Sequence, residues 1–68
     1  MSIHKVIEIL ANSNESWEAA ARNAVKHAAK TVRNIQSVYI QDQMAKVVDN
    51  EIVQYRVNAK ITFLVEED

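Results

Sequence analysis

The amino-acid sequence predicts an α+β chain of element order β-α-β-β. Three observations carry that reading: a three-and-four spacing of apolar residues from Trp17 to Ile35, a period-two alternation from Val53 to Val65, and the pair Asp49-Asn50 between two extended segments. The first is a helix stripe, the second marks a strand with one buried face, and the third suits a two-residue hairpin turn.

The first strand is expected over Ile3 to Leu10, where Ile and Val alternate with the charged Lys5 and Glu8. A polar cluster from Asn12 to Ser16 ends it. Short oxygen-bearing side chains accept from the free N–H groups of a first helical turn, and Ser13 is the expected cap, with Asn12 competing. The helix stripe then comprises Trp17, Ala20, Ala21, Ala24, Val25, Ala28, Val32 and Ile35. Glu15, Glu18, Arg22, Lys26, Lys30 and Arg33 lie off it, acid first and base last, as the helix macrodipole favours. Because the stripe is mostly alanine, the helix can approach a sheet closely, and large core residues must come from the sheet. Trp17 is expected in the core, its ring filling space the alanines leave and its indole N–H reaching a backbone carbonyl.

The second strand is expected over Gln36 to Val47, with Val38, Ile40 and Met44 on one side and Ser37, Tyr39, Gln41 and Gln43 on the other. The last strand places Val53, Tyr55, Val57, Ala59, Ile61, Phe63 and Val65 on one face. Gln54, Arg56, Asn58, Lys60 and Thr62 take the opposite face. With Asp49-Asn50 as the turn, opposite residues have numbers totalling 99. Val38 then faces Ile61, Ile40 faces Ala59 and Met44 faces Tyr55, while Gln41 faces Asn58 and Gln43 faces Arg56. A bulge near the turn would shift this register.

Composition limits the function. The chain has 68 residues, no cysteine, no glycine, no proline and a net charge of −1. Disulfides, sulfur-bound metals and glycine-rich phosphate loops are excluded, and the charge balance argues against nucleic acid or a basic membrane-surface helix. No stretch reaches the roughly 20 apolar residues of a membrane span, and MSIHKVIEIL lacks a signal peptide's apolar run and cleavage site, so a cytoplasmic location is expected. His4 and His27 have no further ligands at metal-binding spacing, and no spacing suggests a catalytic triad, a carboxylate pair or a cofactor lysine. An enzyme is not expected. The carboxylates Asp42, Asp49 and Glu51 and the tail Glu66, Glu67 and Asp68 form no EF-hand, so a calcium or magnesium site, with Asp42 or Glu15 contributing, would have to be shared between copies.

Residues 1–68 read as one domain, and a chain this short rarely stabilises a core alone. A last strand of about 14 residues spans roughly 45 Å, against about 30 Å for a helix of about 20 residues. The overhang, with Val47, Val48, Val53 and Tyr55, calls for further copies of the chain.

The segments HKVIEIL, SNESWEAAARNAVKHAAKTVRNI and QYRVNAKITFLVEE, in this order and spacing, resemble the dodecins over nearly the whole chain. The resemblance implies a three-stranded antiparallel sheet partly wrapping one helix, with twelve copies closing into a hollow homododecamer. It also implies a non-catalytic store for riboflavin, FMN or FAD. Two flavin-contacting family positions correspond to Ser37, where the family pattern has a stacking tryptophan, and Arg56, where it has a glutamine. Losing a stacked indole forfeits about 0.5 to 1.5 kcal/mol beyond its buried area, and Tyr39 lies on the same face to replace it. These departures, together with S-W-E-x-A-A in the helix and Y-R-V in the last strand, are similar to a subgroup that includes calcium binders. The expected ligand site on the inner sheet face is therefore Ser37, Tyr39, Gln41, Arg56 and Asn58. Flavin is the family default. A calcium or other cation shell, a binder of coenzyme A or another phosphate ligand at Arg56, and a purely structural protein are the alternatives; Arg56 pairing with a neighbouring subunit's carboxylate is another use for that side chain.

Overall fold

The computed structural model describes residues 2–67, so Asp68 of the acidic tail lies outside the described residues. The order is β1 (Ser2–Ser13), α1 (Trp17–Ala28), β2 (Ile35–Val48) and β3 (Glu51–Glu67). β3 is the central strand of a three-stranded sheet, antiparallel to both β1 and β2. All four expected elements are present, and α1 packs on one face of the sheet, chiefly against β1 and β3.

The core matches the alanine stripe. Ala20, Ala24 and Ala28 of α1 are buried against Ala11, Val57, Ala59 and Ile61, and the largest fully buried side chains are Ile61 and Val57 of the sheet. Ile7, Ile9, Trp17, Val25, Ile35 and Ile40 pack around them. Trp17 is only partly buried, but its indole N–H donates to the carbonyl of Met44 at 3.0 Å, the kind of bond expected of it. Its ring meets Tyr55 edge to face, with centroids 4.9 Å apart.

The helix differs from expectation at both ends. Its cap is Ser16, whose side chain accepts from the Ala19 N–H at 3.0 Å, and not Ser13 or Asn12. Ser13 instead accepts from the Glu15 N–H at 3.0 Å, folding the connection back before the helix begins. The helix also stops at Ala28, 12 residues long and so about 18 Å. Beyond it Lys30 and Thr31 donate to carbonyls three residues back, at 3.2 and 3.1 Å. Asn34 then turns the chain with φ 62°, and its carbonyl accepts from the Leu64 N–H at 2.9 Å. Ile35, the last residue of the stripe, therefore begins β2. The side chains of β-branched Thr31 and Val32 favour extended backbone over continuation of the helix.

The hairpin turn is Asp49-Asn50, with φ of 52° and 64°. Val38 faces Ile61 and Ile40 faces Ala59, as the alternation implies. From there the register departs from the expected one. Gln41 is an extra residue between Ile40 and Asp42, so Asp42 faces Asn58, Gln43 faces Val57 and Met44 faces Arg56. The expected pairs Gln41–Asn58, Gln43–Arg56 and Met44–Tyr55 are thus each displaced by one residue. A bulge inserts one residue and reverses the alternation beyond it, which moves Met44 to the face away from the helix and Gln43 to the helix side. Val53 on β3 is the compensating extra residue, since Lys46 faces Gln54 while Val47 faces Ile52.

The chain is elongated, 54 × 20 × 13 Å, and the helix covers only its middle. The hairpin end projects past Trp17, leaving Val47, Val48, Ile52 and Val53 exposed. No helix among the described residues is long and apolar enough to cross a membrane.

Candidate functional site

The sheet face away from α1 is a ladder of three-residue rungs ordered β1, β3, β2. From one end these are Val6–Thr62–Ser37, Glu8–Lys60–Tyr39, Leu10–Asn58–Asp42 and Asn12–Arg56–Met44, followed by Gln54–Lys46 where β1 has ended. Four of the five expected ligand residues, Ser37, Tyr39, Arg56 and Asn58, lie on this face. The fifth, Gln41, is the bulge residue and has no partner on β3.

Within one subunit these residues do not converge. Thr62, beside Ser37, and Arg56 are six residues apart on β3, which is about 20 Å of extended chain. A pocket containing both Ser37 and Arg56 needs side chains from two copies. Tyr39, 65% exposed, lies beside Lys60 nearer the Ser37 end.

The Arg56 end has the more developed geometry. Nε of Arg56 donates to Oδ1 of Asn12 at 2.9 Å, and the backbone carbonyl of Asn12 accepts from Nδ2 of Asn23 on α1 at 3.1 Å. One hollow of about 360 Å³ beside Arg56 is lined by Leu10, Asp42, Met44 and Asn58. A second, of about 250 Å³, lies on the hairpin side, among Met44, Lys46, Gln54 and Arg56. Asn58, which lines the first hollow and pairs with Asp42 across the strands, has its Oδ1 buried without a hydrogen-bond partner.

The expected cation ligands lie apart. Asp42 belongs to the sheet face, whereas Glu15 sits in a polar hollow before the helix, lined also by Asn12, Ser13, Asn14 and Asn23. No group of three or more His, Cys, Asp or Glu side chains that could hold a metal ion occurs among the described residues. Leu10, Met44, Lys46 and Gln54 were not among the residues expected at the site. The run Gln41-Asp42-Gln43, three polar residues where strand alternation calls for an apolar one, is the signal that marks the bulge and brings Met44 and Lys46 to this face.

Against known proteins, the dodecin family model matches residues 3–66. The chain belongs to the dodecin family. This dodecin is 35% identical over 63 residues to the calcium dodecin of Mycobacterium tuberculosis, covering 93% of this chain and 89% of that one. A crystal structure of calcium dodecin from the same organism, described as calcium chelating and as having a novel calcium-binding site, superposes with a TM-score of 0.81 at 32% identity, covering 96% of this chain and 93% of that chain. The dodecin of Streptomyces coelicolor superposes with a TM-score of 0.90 at 25% identity, covering 98% of this chain and 96% of the other. The β-α-β-β fold with one helix on a three-stranded antiparallel sheet is therefore the dodecin fold.

Proposed function

We propose that this dodecin forms a closed homo-oligomer, a homododecamer on the pattern the family resemblance implies, that binds and stores a small ligand and is not an enzyme. We infer further that its ligand is a hard divalent cation, calcium before magnesium. The observation that carries the cation reading is the rung Asp42–Asn58, where a carboxylate faces a buried amide oxygen with no hydrogen-bond donor. Calcium takes six to eight oxygen ligands, and two oxygen-bearing side chains on one chain leave the rest for water and other copies, Glu15 among them. The 35% identity to a calcium dodecin supports the same reading. Exposed Val47, Val48, Ile52 and Val53 at the hairpin end support self-association, because apolar surface of this kind is ordinarily covered by another subunit.

The test is thermal unfolding of the assembled protein with millimolar calcium, then with EDTA. A ligand that binds the native state at 100 times its Kd stabilises by about 2.7 kcal/mol, so the midpoint should rise with calcium and fall back with EDTA. Asp42→Asn should abolish the rise. No shift, or an equal shift in Asp42→Asn, would sink the cation reading.

A second reading, storage of riboflavin, FMN or FAD, is favoured by Tyr39, exposed on the same sheet face as Arg56 and able to stack on a ring system. A flavin fluorescence titration tests it, with Ser37→Trp expected to strengthen quenching. If only Ser37→Trp quenches, the natural pocket serves another ligand.

A further inference from the structure

We propose that Arg56, Lys46 and Gln54 form an oxyanion site, selective for phosphate-class groups, next to the rung that carries the cation reading but argued without it. Arg56 and Gln54 are two residues apart on β3, and each has its β2 partner on the same face, Met44 and Lys46. The four side chains thus form the corners of one square of the ladder, roughly 5 Å across the strands and about 7 Å along them. They line a common hollow of about 250 Å³.

The chemistry of the square is one-sided. It offers a guanidinium, an ammonium and a carboxamide N–H₂, with the thioether of Met44 as an apolar wall, and no carboxylate among its lining residues. Among the described residues Arg56 forms no ion pair; the ion pair seen there, Glu18 with Arg22 on the helix, is remote and exposed. The guanidinium is also held in position. Nε is committed to Asn12 at 2.9 Å, and Asn12 is tied to Asn23 of α1, which leaves the two Nη groups to donate outward. A planar donor pair held by a third bond fits two oxygens of a phosphate or sulfate, and a lysine beside it adds a compact point charge. Asn12 is accordingly a positioning residue for Arg56.

The shared chemistry is a tetrahedral oxyanion, which free phosphate and the phosphate end of a nucleotide both present. The experiment uses the assembled protein in EDTA, so that its outcome does not depend on a bound cation. Inorganic phosphate is titrated and followed by ³¹P line broadening, and FMN and riboflavin, which share a ring system but differ by a phosphate, are titrated by fluorescence. Saturable phosphate binding weakened about tenfold or more by Arg56→Gln, and severalfold by Lys46→Gln, is expected. Asn12→Ala should weaken binding with Arg56 intact, and Arg56→Lys should not restore it, because the paired donors are lost. Tighter binding of FMN than of riboflavin, with the difference lost in Arg56→Gln, would assign the site to the phosphate end of a larger ligand. Lys30→Gln, in the turn that follows α1, controls for net charge. Absence of both phosphate binding and an FMN preference would overturn the proposal, as would equal losses in Lys30→Gln and Arg56→Gln. Should Arg56→Gln fail to assemble, exposed Lys46→Gln carries the same comparison.

Discussion

The indole of Trp17 donates to the carbonyl of Met44 across 3.0 Å, joining the first turn of the helix to the edge strand three residues past the bulge. No other side chain of α1 hydrogen-bonds to β2 among the described residues, and the helix rests chiefly on β1 and β3. The bond ties the helix to Met44, which is held opposite Arg56 by the strand pairing and walls both hollows beside that arginine.

Trp17→Phe should therefore cost about 1 kcal/mol, the net value of one hydrogen bond, with most ring packing kept. Trp17→Ala should cost about 3 kcal/mol, since the partly exposed ring also leaves Tyr55 without its edge-to-face neighbour. Denaturant midpoints of the assembled variants check both; no loss in Trp17→Phe would show that the hydrogen bond contributes nothing of its own, and equal losses would show that the ring packing does not.

Ser16→Ala is expected to destabilise by about 1 kcal/mol, because it removes the acceptor of the Ala19 N–H at the start of the helix. Ser13→Ala removes only an exposed bond in the connection and should cost less than half as much. A larger loss at Ser13 in thermal unfolding would return the cap to the residue the sequence favours.

Charge introduced at the projecting hairpin should separate assembly from folding. Val47→Lys and Ile52→Lys alter side chains that touch no part of the buried core of their own chain. Light scattering is expected to show a smaller particle, while circular dichroism retains the α+β signature. An unchanged mass would mean that the hairpin end is free in the assembly.

The turn itself can be strengthened. Both central residues have positive φ, 52° at Asp49 and 64° at Asn50, which cost glycine nothing. Asn50→Gly should raise stability by roughly 0.5 kcal/mol, against the usual loss on introducing glycine elsewhere in a strand, and a lower unfolding midpoint would count against the turn geometry.

The sequence disclosed the order of elements, the turn and the alanine-to-sheet packing because each rests on periodicity, which a chain displays directly. It misled where geometry depends on a single residue. The stripe ran on through Val32 and Ile35, and nothing in the spacing distinguishes a last helical position from a first strand position; the reversal at Asn34 decides it. Strict alternation likewise put Met44 with Val38 and Ile40, and the extra residue at Gln41 reversed it. Ser37, Tyr39, Arg56 and Asn58 could be placed on one face in advance, since β3 keeps its alternation between Arg56 and Thr62. Their separation along that face, and the neighbours Lys46 and Gln54, could be read only once the bulge was located.

The offsets at Gln41 and Val53 have a collective consequence. They lie on opposite strands and cancel, so that the rungs from Asp42–Asn58 to Lys46–Gln54 form a window slipped by one residue between two unslipped regions. In a crystal these would be paired dislocations of opposite sign, which leave the lattice outside them undisturbed. The turn and the Val38–Ile61 end keep the places an uninterrupted hairpin would give them, while inside the window a different set of side chains is displayed. Closing both offsets together would exchange Asp42, Met44 and Lys46 for their neighbours on the ligand face without changing the length of the chain, so the chemistry of that face is written in the alignment of two strands as much as in the residues they carry.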